Sequence, residues 1–378
     1  MSGISKHYLT IILLTIISSL LFWLVFYFNL PQHVGFPQVS LETIYSNYDG
    51  PNYMVISRCW YDNSCIRSNF SLPLPLEYYP AHLPGYPLLL AALSIFTTLP
   101  KAMLVATLLG SVFLSVFSYR LFALYLSSKN SYWLTVLLLF FPARLFVLRQ
   151  IGAPETWFIA SIVASLYYFK TKKYFWSAIF ASFAQITKTP GALLALSFLI
   201  LAVYEIFKYK NLSGVIKKYY PYLLVPLSLL LVFYFYYLKT GNFYAYFQSG
   251  DNIHLYPFPY AVFISNLSWI GTIWLEEIIY ILLLAFLGIK FLLKKYKFDI
   301  LSIFPLIFTL AAVCVGHRDI SRYISPVYPF MFLAFQRFLN KKTFRIIILL
   351  LLPAIVLYGV NFVIGNTTPI ADWSPYLN

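Results

Sequence analysis

Charged residues are scarce in this 378-residue sequence, and acidic residues are the scarcest of them. Charged side chains make up 10% of the chain and only 12 residues are Asp or Glu, whereas hydrophobic residues make up 61%. A soluble domain is about half apolar and about a quarter charged, so the composition excludes an ordinary soluble fold. The sequence also lacks the clean alternation expected of a membrane-spanning barrel. We therefore expect an all-α, polytopic membrane protein.

Motifs of cofactor and metal chemistry are missing as well. The five His residues are scattered, and Cys59 and Cys65 have no histidine partners at zinc spacing, so we predict no metal site. The sequence has no P-loop and no Gly-rich dinucleotide turn, which argues against an ATP-driven machine and predicts no cofactor. For Cys59 and Cys65 two alternatives stay open: a small disulfide in an oxidising compartment, or two free thiols.

The apolar runs predict eleven spanning helices in a single domain, residues 1–378. A bilayer crossing takes about 20 apolar residues. A shorter run at 83–98 is expected to be an interfacial or re-entrant helix. The runs expected to span are residues 8–30, 101–126, 131–149, 153–170, 174–188, 190–207, 220–239, 272–293, 299–316, 323–338 and 344–363.

The formal net charge of +15 would suggest a nucleic-acid partner in a soluble protein, but here it is typical of a topology signal. Most basic residues lie in short loops between apolar runs, and with a cytoplasmic N-terminus their clusters fall on the cytoplasmic side. Most acidic residues fall on the opposite side, which also holds the long loops 31–100 and 240–271. We therefore predict that function lies on the extracytoplasmic face, with membrane lipids and no nucleic acid as partners.

Two carboxylates near helix ends are candidate functional groups, because ionisable residues are costly there. Asp49 lies in YSNYDGPNY, where the Asp-Gly pair allows a tight turn, and its neighbours Tyr48, Asn52 and Tyr53 have groups suited to a polyol. The alternative for Asp49 is a solvated loop residue. Glu155 opens a helix in APETWF, where it either functions or simply favours the helix dipole.

Four basic side chains on the same face are candidate anion-binding groups. His82 precedes the short apolar run and is either a phosphate contact or a loop histidine. Lys188, in the turn between two closely connected helices, is expected to pair with a carboxylate or to hold an anion. Arg318 and Arg322 lie four apart in HRDISRY, and arginine forks match phosphate. The alternative is a surface network of both arginines with Asp319.

Together these stretches resemble the GT-C superfamily of integral membrane glycosyltransferases, and more closely the GPI mannosyltransferase (PIG-V-like) family and its prokaryotic relatives. YDGPNY resembles the family's Trp-Asp-Gly-x-Trp-Tyr stretch, and TKTPG resembles its Thr-Arg-x-x-Gly turn. HLPGYP, FPAR with APET, YAYFQSGD with Gln248, and SRYISPVYPF are similar to other family segments, and the matches run from about residue 45 to 335. Tyr48, Pro51 and Asn52 depart from the family's tryptophan and its neighbour, and Lys188 departs from its arginine.

The resemblance implies a GT-C-like bundle of about eleven transmembrane helices with interfacial helices on the extracytoplasmic face. It implies transfer of a sugar, mannose first, from a polyprenyl (or dolichyl) phosphate to a hydroxyl of a glycan, lipid or protein, with inversion and without a metal. Asp49 would be the general base, and Glu155 would bind hydroxyls or orient that base. The residues that would hold the phosphate and the rest of the substrate are Arg322, Lys188, His82, Arg318, Gln248, Tyr48, Asn52 and Tyr53.

Two other classes of protein stay open on the sequence alone. A transporter or flippase for a lipid or small solute fits the membrane architecture, but such proteins hold polar groups near the bilayer midplane in repeated halves, and we find no repeat. A non-catalytic scaffold leaves the clustering of charged residues on one face unexplained. Abundant Ile, Lys, Tyr and Phe indicate an AT-rich genome, which favours a bacterial or archaeal cell membrane over the endoplasmic reticulum.

Overall fold

The chain is mostly helical in the part that the structure describes. The structure is a computed structural model that describes residues 3–72, 74–249, 254–264, 273–368 and 370–377. In these residues no β-strand occurs, which confirms the all-α expectation. The α-helices are Gly3–Tyr27, Leu41–Tyr45, Gly50–Cys59, Asn63–Asn69, Gly85–Ser94, Leu99–Ala123, Ser128–Phe140, Ala143–Leu148, Glu155–Lys170, Tyr174–Thr187, Ala192–Tyr209, Leu212–Tyr219, Leu224–Thr240, Ile273–Tyr296, Ile300–Val313, Ile320–Tyr323, Tyr328–Ala334, Gln336–Leu339, Lys342–Gly365 and Ser374–Leu377. The short 3-10 helices are Leu30–Val34, Leu76–Ala81, Thr189–Gly191, Tyr220–Leu223, Ala245–Gln248, Ala261–Phe263 and Ser325–Val327.

Five helical segments in the described part of the chain are long and apolar enough to cross a membrane. A crossing takes about 20 residues, and each of the five exceeds that length. Their outer surfaces carry exposed leucines such as Leu21 and Leu350, which a bilayer would cover. This membrane-like helical character is consistent with the membrane protein predicted from composition. The five segments are Lys6–Tyr27, Leu99–Ala123, Thr189–Tyr209, Leu212–Thr240 and Lys342–Gly365.

Two of the expected spans are interrupted. The run 131–149 is divided into the helices Ser128–Phe140 and Ala143–Leu148. Pro142 stands between them, and proline has no backbone N–H to continue a helix. The run 323–338 likewise contains prolines and forms a 3-10 turn and short helices. The expectation of one continuous helix at each of these places is wrong.

The segment that follows the first long helix is folded into several short helices. Nearly every residue of the helix Gly50–Cys59 is buried. Cys59 and Cys65 form a disulfide, which decides between the two alternatives left open by the sequence. The helix Gly85–Ser94 has ten residues, and at 1.5 Å per residue it is about 15 Å long. It is too short to span a bilayer, as expected for the run at 83–98.

The helix Glu155–Lys170 lies at the centre of the helical bundle. Leu99–Ala123 and Tyr174–Thr187 both pack along it. Gly110 permits the close approach of the first pair, because a Cβ at this position would lie 2.5 Å from the Oγ1 of Thr156. Most residues of the central helix are buried. Glu155, the first residue of this helix, is therefore held inside the protein.

Candidate functional site

Arg322 is the centre of the candidate site, because its guanidinium joins two carboxylates from distant parts of the chain. Its Nε lies 2.7 Å from Oε1 of Glu155, and its Nη2 lies 3.1 Å from Oδ2 of Asp49. The arginine belongs to the short helix Ile320–Tyr323. A guanidinium presents five donors in a fixed fork, so one arginine can hold both anions. The structure thus brings together three of the residues predicted from the sequence.

Glu155 is the most deeply buried member of the site, with 1% of its side chain exposed. Its Oε1 accepts hydrogen bonds from Nζ of Lys188 and Nε of Arg322, both at 2.7 Å. Its Oε2 is buried and has no hydrogen-bond partner among the described residues. A buried carboxylate needs such partners, because burying an unpaired charge is costly. Favouring the helix dipole is therefore at most a secondary role of this glutamate.

Lys188 reaches the site from the turn between two helices. It follows Tyr174–Thr187 in an extended conformation and precedes the 3-10 turn Thr189–Gly191. A side chain at Gly191 would not fit, because a Cβ would lie 2.6 Å from the Cα of Gln185. The tight turn thus holds the lysine beside the start of the central helix.

Asp49 is the most exposed of the charged groups, at 27%. It precedes the helix Gly50–Cys59, but its side chain makes no capping hydrogen bond. Instead, its Oδ1 lies 3.6 Å from Nε2 of His82, and its Oδ2 contacts Arg322. Burial alone would raise the pKa of Asp49, but the neighbouring His82 and the Arg322 charge outweigh it and hold the pKa well below its usual range. Asp49 is therefore ionised at neutral pH.

The formal charges of this cluster balance. The carboxylates of Asp49 and Glu155 face the cations of Lys188 and Arg322, and the sum is zero when His82 is neutral. Pairing offsets the cost of removing these charges from water. It also means that both cations are already engaged, so an anionic ligand would have to share them with the protein's own carboxylates.

Aromatic rings enclose the charged groups. The Cζ of Arg322 lies 4.4 Å from the centroid of the Tyr48 ring, which is a cation–π distance. Tyr48 has a φ of +50°, a conformation that is uncommon for residues other than glycine. Tyr53 packs edge-on against His82 with ring centroids 5.1 Å apart. The third predicted residue of this stretch, Asn52, is buried with its Oδ1 unpaired among the described residues.

Gln248 and Arg318 are exposed and do not take part in the described ion pairs of this cluster. Gln248 hydrogen-bonds within its own loop. Asp319 and Arg322 are largely buried, so the alternative of a surface network of both arginines with Asp319 does not describe these two residues. Asp319 is buried, with 7% exposed, and it pairs with Arg144.

Arg144 is the residue that the sequence analysis missed. Its Nε lies 3.0 Å from Oδ1 of Asp319, and only 5% of its side chain is exposed. The sequence could have indicated Arg144 as a candidate, because an arginine inside the apolar run 131–149 is costly unless it is paired. The sequence does not indicate its partner in this way, since the two residues are far apart along the chain.

Among the residues that the structure describes, no group of three or more His, Cys, Asp or Glu side chains is placed to hold a metal ion. No protein-family model matches the chain, and no curated protein matches it. The function of the site is therefore argued from its own residues.

Proposed function

We propose that this protein is a GT-C-like glycosyltransferase that moves a sugar, mannose first, from a polyprenyl (or dolichyl) phosphate to a hydroxyl of a glycan, lipid or protein. The observation that carries the proposal is the bridge from Arg322 to both Asp49 and Glu155. Lys188 and His82 join the same cluster, in a chain with only 12 acidic residues. Cations that can bind phosphate, beside a carboxylate that can accept a proton, are the groups that this reaction needs.

Asp49 would act as the general base at the exposed edge of the site. The acceptor oxygen attacks the anomeric carbon on the face opposite the phosphate, and the bond from that carbon to the phosphate oxygen breaks. The hydroxyl proton passes to Asp49, the sugar is inverted, and polyprenyl phosphate leaves without a general acid. The hydroxyl proton becomes acidic as the new bond forms, so a carboxylate of low pKa can still accept it.

Arg322 and Lys188 would stabilise the growing charge of the phosphate, with His82 as a further donor. Both cations are paired with carboxylates of the protein, so the phosphate would join an existing network. Glu155 would keep the two cations oriented. The other residues predicted to contact the sugar or the lipid phosphate are Tyr48, Tyr53, Asn52, Arg318 and Gln248.

In this proposal the chain crosses the membrane about eleven times, with a cytoplasmic N-terminus and the site on the extracytoplasmic face of a bacterial or archaeal cell membrane. The five long apolar helices would be joined by shorter apolar helices such as Ile300–Val313. Exposed apolar side chains on these helices would contact membrane lipids and the isoprenoid tail of the donor.

The proposal is tested by sugar transfer with purified protein in detergent. Wild type and Asp49→Asn are each incubated with radiolabelled polyprenyl-phosphate-mannose and a membrane extract. General-base catalysis contributes about 10²–10⁴-fold, so Asp49→Asn should lose transfer by at least about 100-fold while it still binds the donor. Asp299→Asn is the matched control, because Asp299 pairs with Lys170 outside this cluster and should keep full transfer.

Each other outcome has a defined meaning. Equal transfer by wild type and Asp49→Asn would place the base elsewhere, with Glu155 tested next. No transfer by the wild type with mannose, glucose or arabinose donors would refute the enzyme. The protein would then be tested as a transporter or flippase in proteoliposomes.

A further inference from the structure

We propose that Arg144 and Asp319 form a positioning pair that fixes Tyr48 and, through it, the Arg322 guanidinium. The mechanism above gives these two residues no role. The inference rests on the proposed function for its catalytic consequence, but the positioning itself can be measured without any sugar transfer. Neither Arg144 nor Asp319 contacts Asp49 or Glu155 among the described ion pairs, so their influence would pass through the Tyr48 side chain and the backbone of Arg322.

The pair is buried and well bonded. Nε of Arg144 lies 3.0 Å from Oδ1 of Asp319 and 3.2 Å from Oγ of Ser321. The guanidinium of Arg144 also lies over the ring of Phe362, with Cζ 3.8 Å from the centroid. Charge pairing and ring stacking together restrict the arginine to one geometry. Arg144 therefore holds the Asp319 carboxylate in place through its Oδ1.

Asp319 contacts the site in two ways. Its Oδ2 accepts a hydrogen bond of 2.6 Å from the hydroxyl of Tyr48, a short bond of the charge-assisted kind. Its Oδ1 accepts one of 3.3 Å from the backbone N–H of Arg322, at the start of the helix Ile320–Tyr323. One carboxylate thus fixes both the tyrosine ring and the backbone of the arginine that this ring supports.

Tyr48 transmits this constraint. Its ring lies 4.4 Å from the Cζ of Arg322, and it immediately precedes Asp49 in the chain. Its backbone is held at a φ of +50° by hydrogen bonds from its N–H to Asn366 and to its carbonyl from Thr368. Residues kept in such rare conformations cluster at functional sites, where the surrounding structure holds them. The Asp319 hydrogen bond to the Tyr48 hydroxyl and this fixed backbone together place the ring against the guanidinium.

The positioning is tested by the hydrogen exchange of the Arg322 Nε–H, observed by NMR in protein with labelled arginine and assigned with Arg322→Lys. In wild type this hydrogen is protected by Glu155. We expect exchange about ten times faster in Asp319→Asn and in Tyr48→Phe, which removes only the hydroxyl. Asp299→Asn is the matched control and should leave the rate unchanged. Unchanged exchange in both folded variants would overturn the proposal, and Tyr48→Phe alone decides if Asp319→Asn fails to fold.

The catalytic consequence is tested by a double-mutant cycle on the rate of sugar transfer. If both residues act through one contact, the double variant Tyr48→Phe/Asp319→Asn should lose no more transfer than the worse single variant. If the losses of the two single variants multiply in the double variant, the two residues act independently, and the proposed action through one contact is overturned. Arg144→Lys should recover part of the kcat that Arg144→Met loses, at similar KM. If the wild type transfers no sugar, the proposed function fails while the exchange measurement still decides the positioning.

Discussion

Replacing Glu155 with Gln removes the negative charge that holds two buried cations. Lys188 and Arg322 both donate to the same oxygen of Glu155, and the carboxylate is almost fully buried. Removing one partner of a buried ion pair costs about 3–5 kcal/mol, and Gln keeps an acceptor at the same place, so we take about 3 kcal/mol. At roughly 2 °C per kcal/mol in a chain of this size, the melting temperature should fall by about 6 °C.

Glu205→Gln is the matched control for this measurement. Glu205 pairs with Lys218, and the Glu205 side chain is 17% exposed, whereas that of Glu155 is 1% exposed. Such pairs contribute about 0–1 kcal/mol, so the control should melt within about 2 °C of wild type. Melting can be followed in detergent with a thiol-reactive dye, because Cys314 is the free cysteine. Glu155→Gln/Lys188→Gln should recover part of the loss, since it restores charge balance.

A melting temperature for Glu155→Gln that equals that of the Glu205→Gln control would refute this reasoning. It would mean that water already screens Glu155, as it screens an exposed carboxylate. High salt provides a second check. A buried pair is screened little by added ions, so the difference between the two variants should persist in about 1 M salt if the pair is buried.

Two further predictions concern the neighbourhood of the site. The double variant Cys59→Ala/Cys65→Ala should lose about 2 kcal/mol of unfolding free energy, because the disulfide closes a short loop; thermal melts followed by tryptophan fluorescence measure this, and no shift would contradict it. Burial, with the neighbouring His254, lowers the pKa of His317 to about 3. The unfolded chain then binds more protons below pH about 6.5, so stability should fall as the pH drops from about 6.5 towards 3. Melts across this range should be flatter for His317→Asn, and identical profiles would contradict the assignment.

The long apolar helices could be predicted from the sequence because a bilayer forces the backbone to satisfy its own hydrogen bonds. The runs 8–30 and 344–363 correspond closely to Lys6–Tyr27 and Lys342–Gly365. The prediction failed where proline interrupts an apolar run, as at Pro142. Hydropathy counts proline by its side chain and takes no account of the missing N–H. Length and composition therefore located apolar segments better than they located helix ends.

The charged residues of the site could also be predicted one by one. In a chain with so few carboxylates, Asp49 and Glu155 each stand out, and Lys188 and Arg322 lie in turns expected on the same face. The structure brings these four into one cluster. Arg318 was predicted because it lies four residues from Arg322, and Gln248 because its segment resembles one of the family. Both side chains are exposed. A residue type in a suggestive segment does not fix the direction of its side chain.

The partners of these residues could not be predicted, and the reason is physical. An ionisable group in apolar surroundings must be paired, so the sequence indicates that Arg144 has a partner without indicating which. The partner depends on which chain segments pack together. From the sequence alone, Asp319 could equally have been a surface residue. Its burial at the Arg144 guanidinium is set by the packing of the helices around both. The second ion pair, and the tyrosine that connects it to the first, therefore follow only from the folded structure.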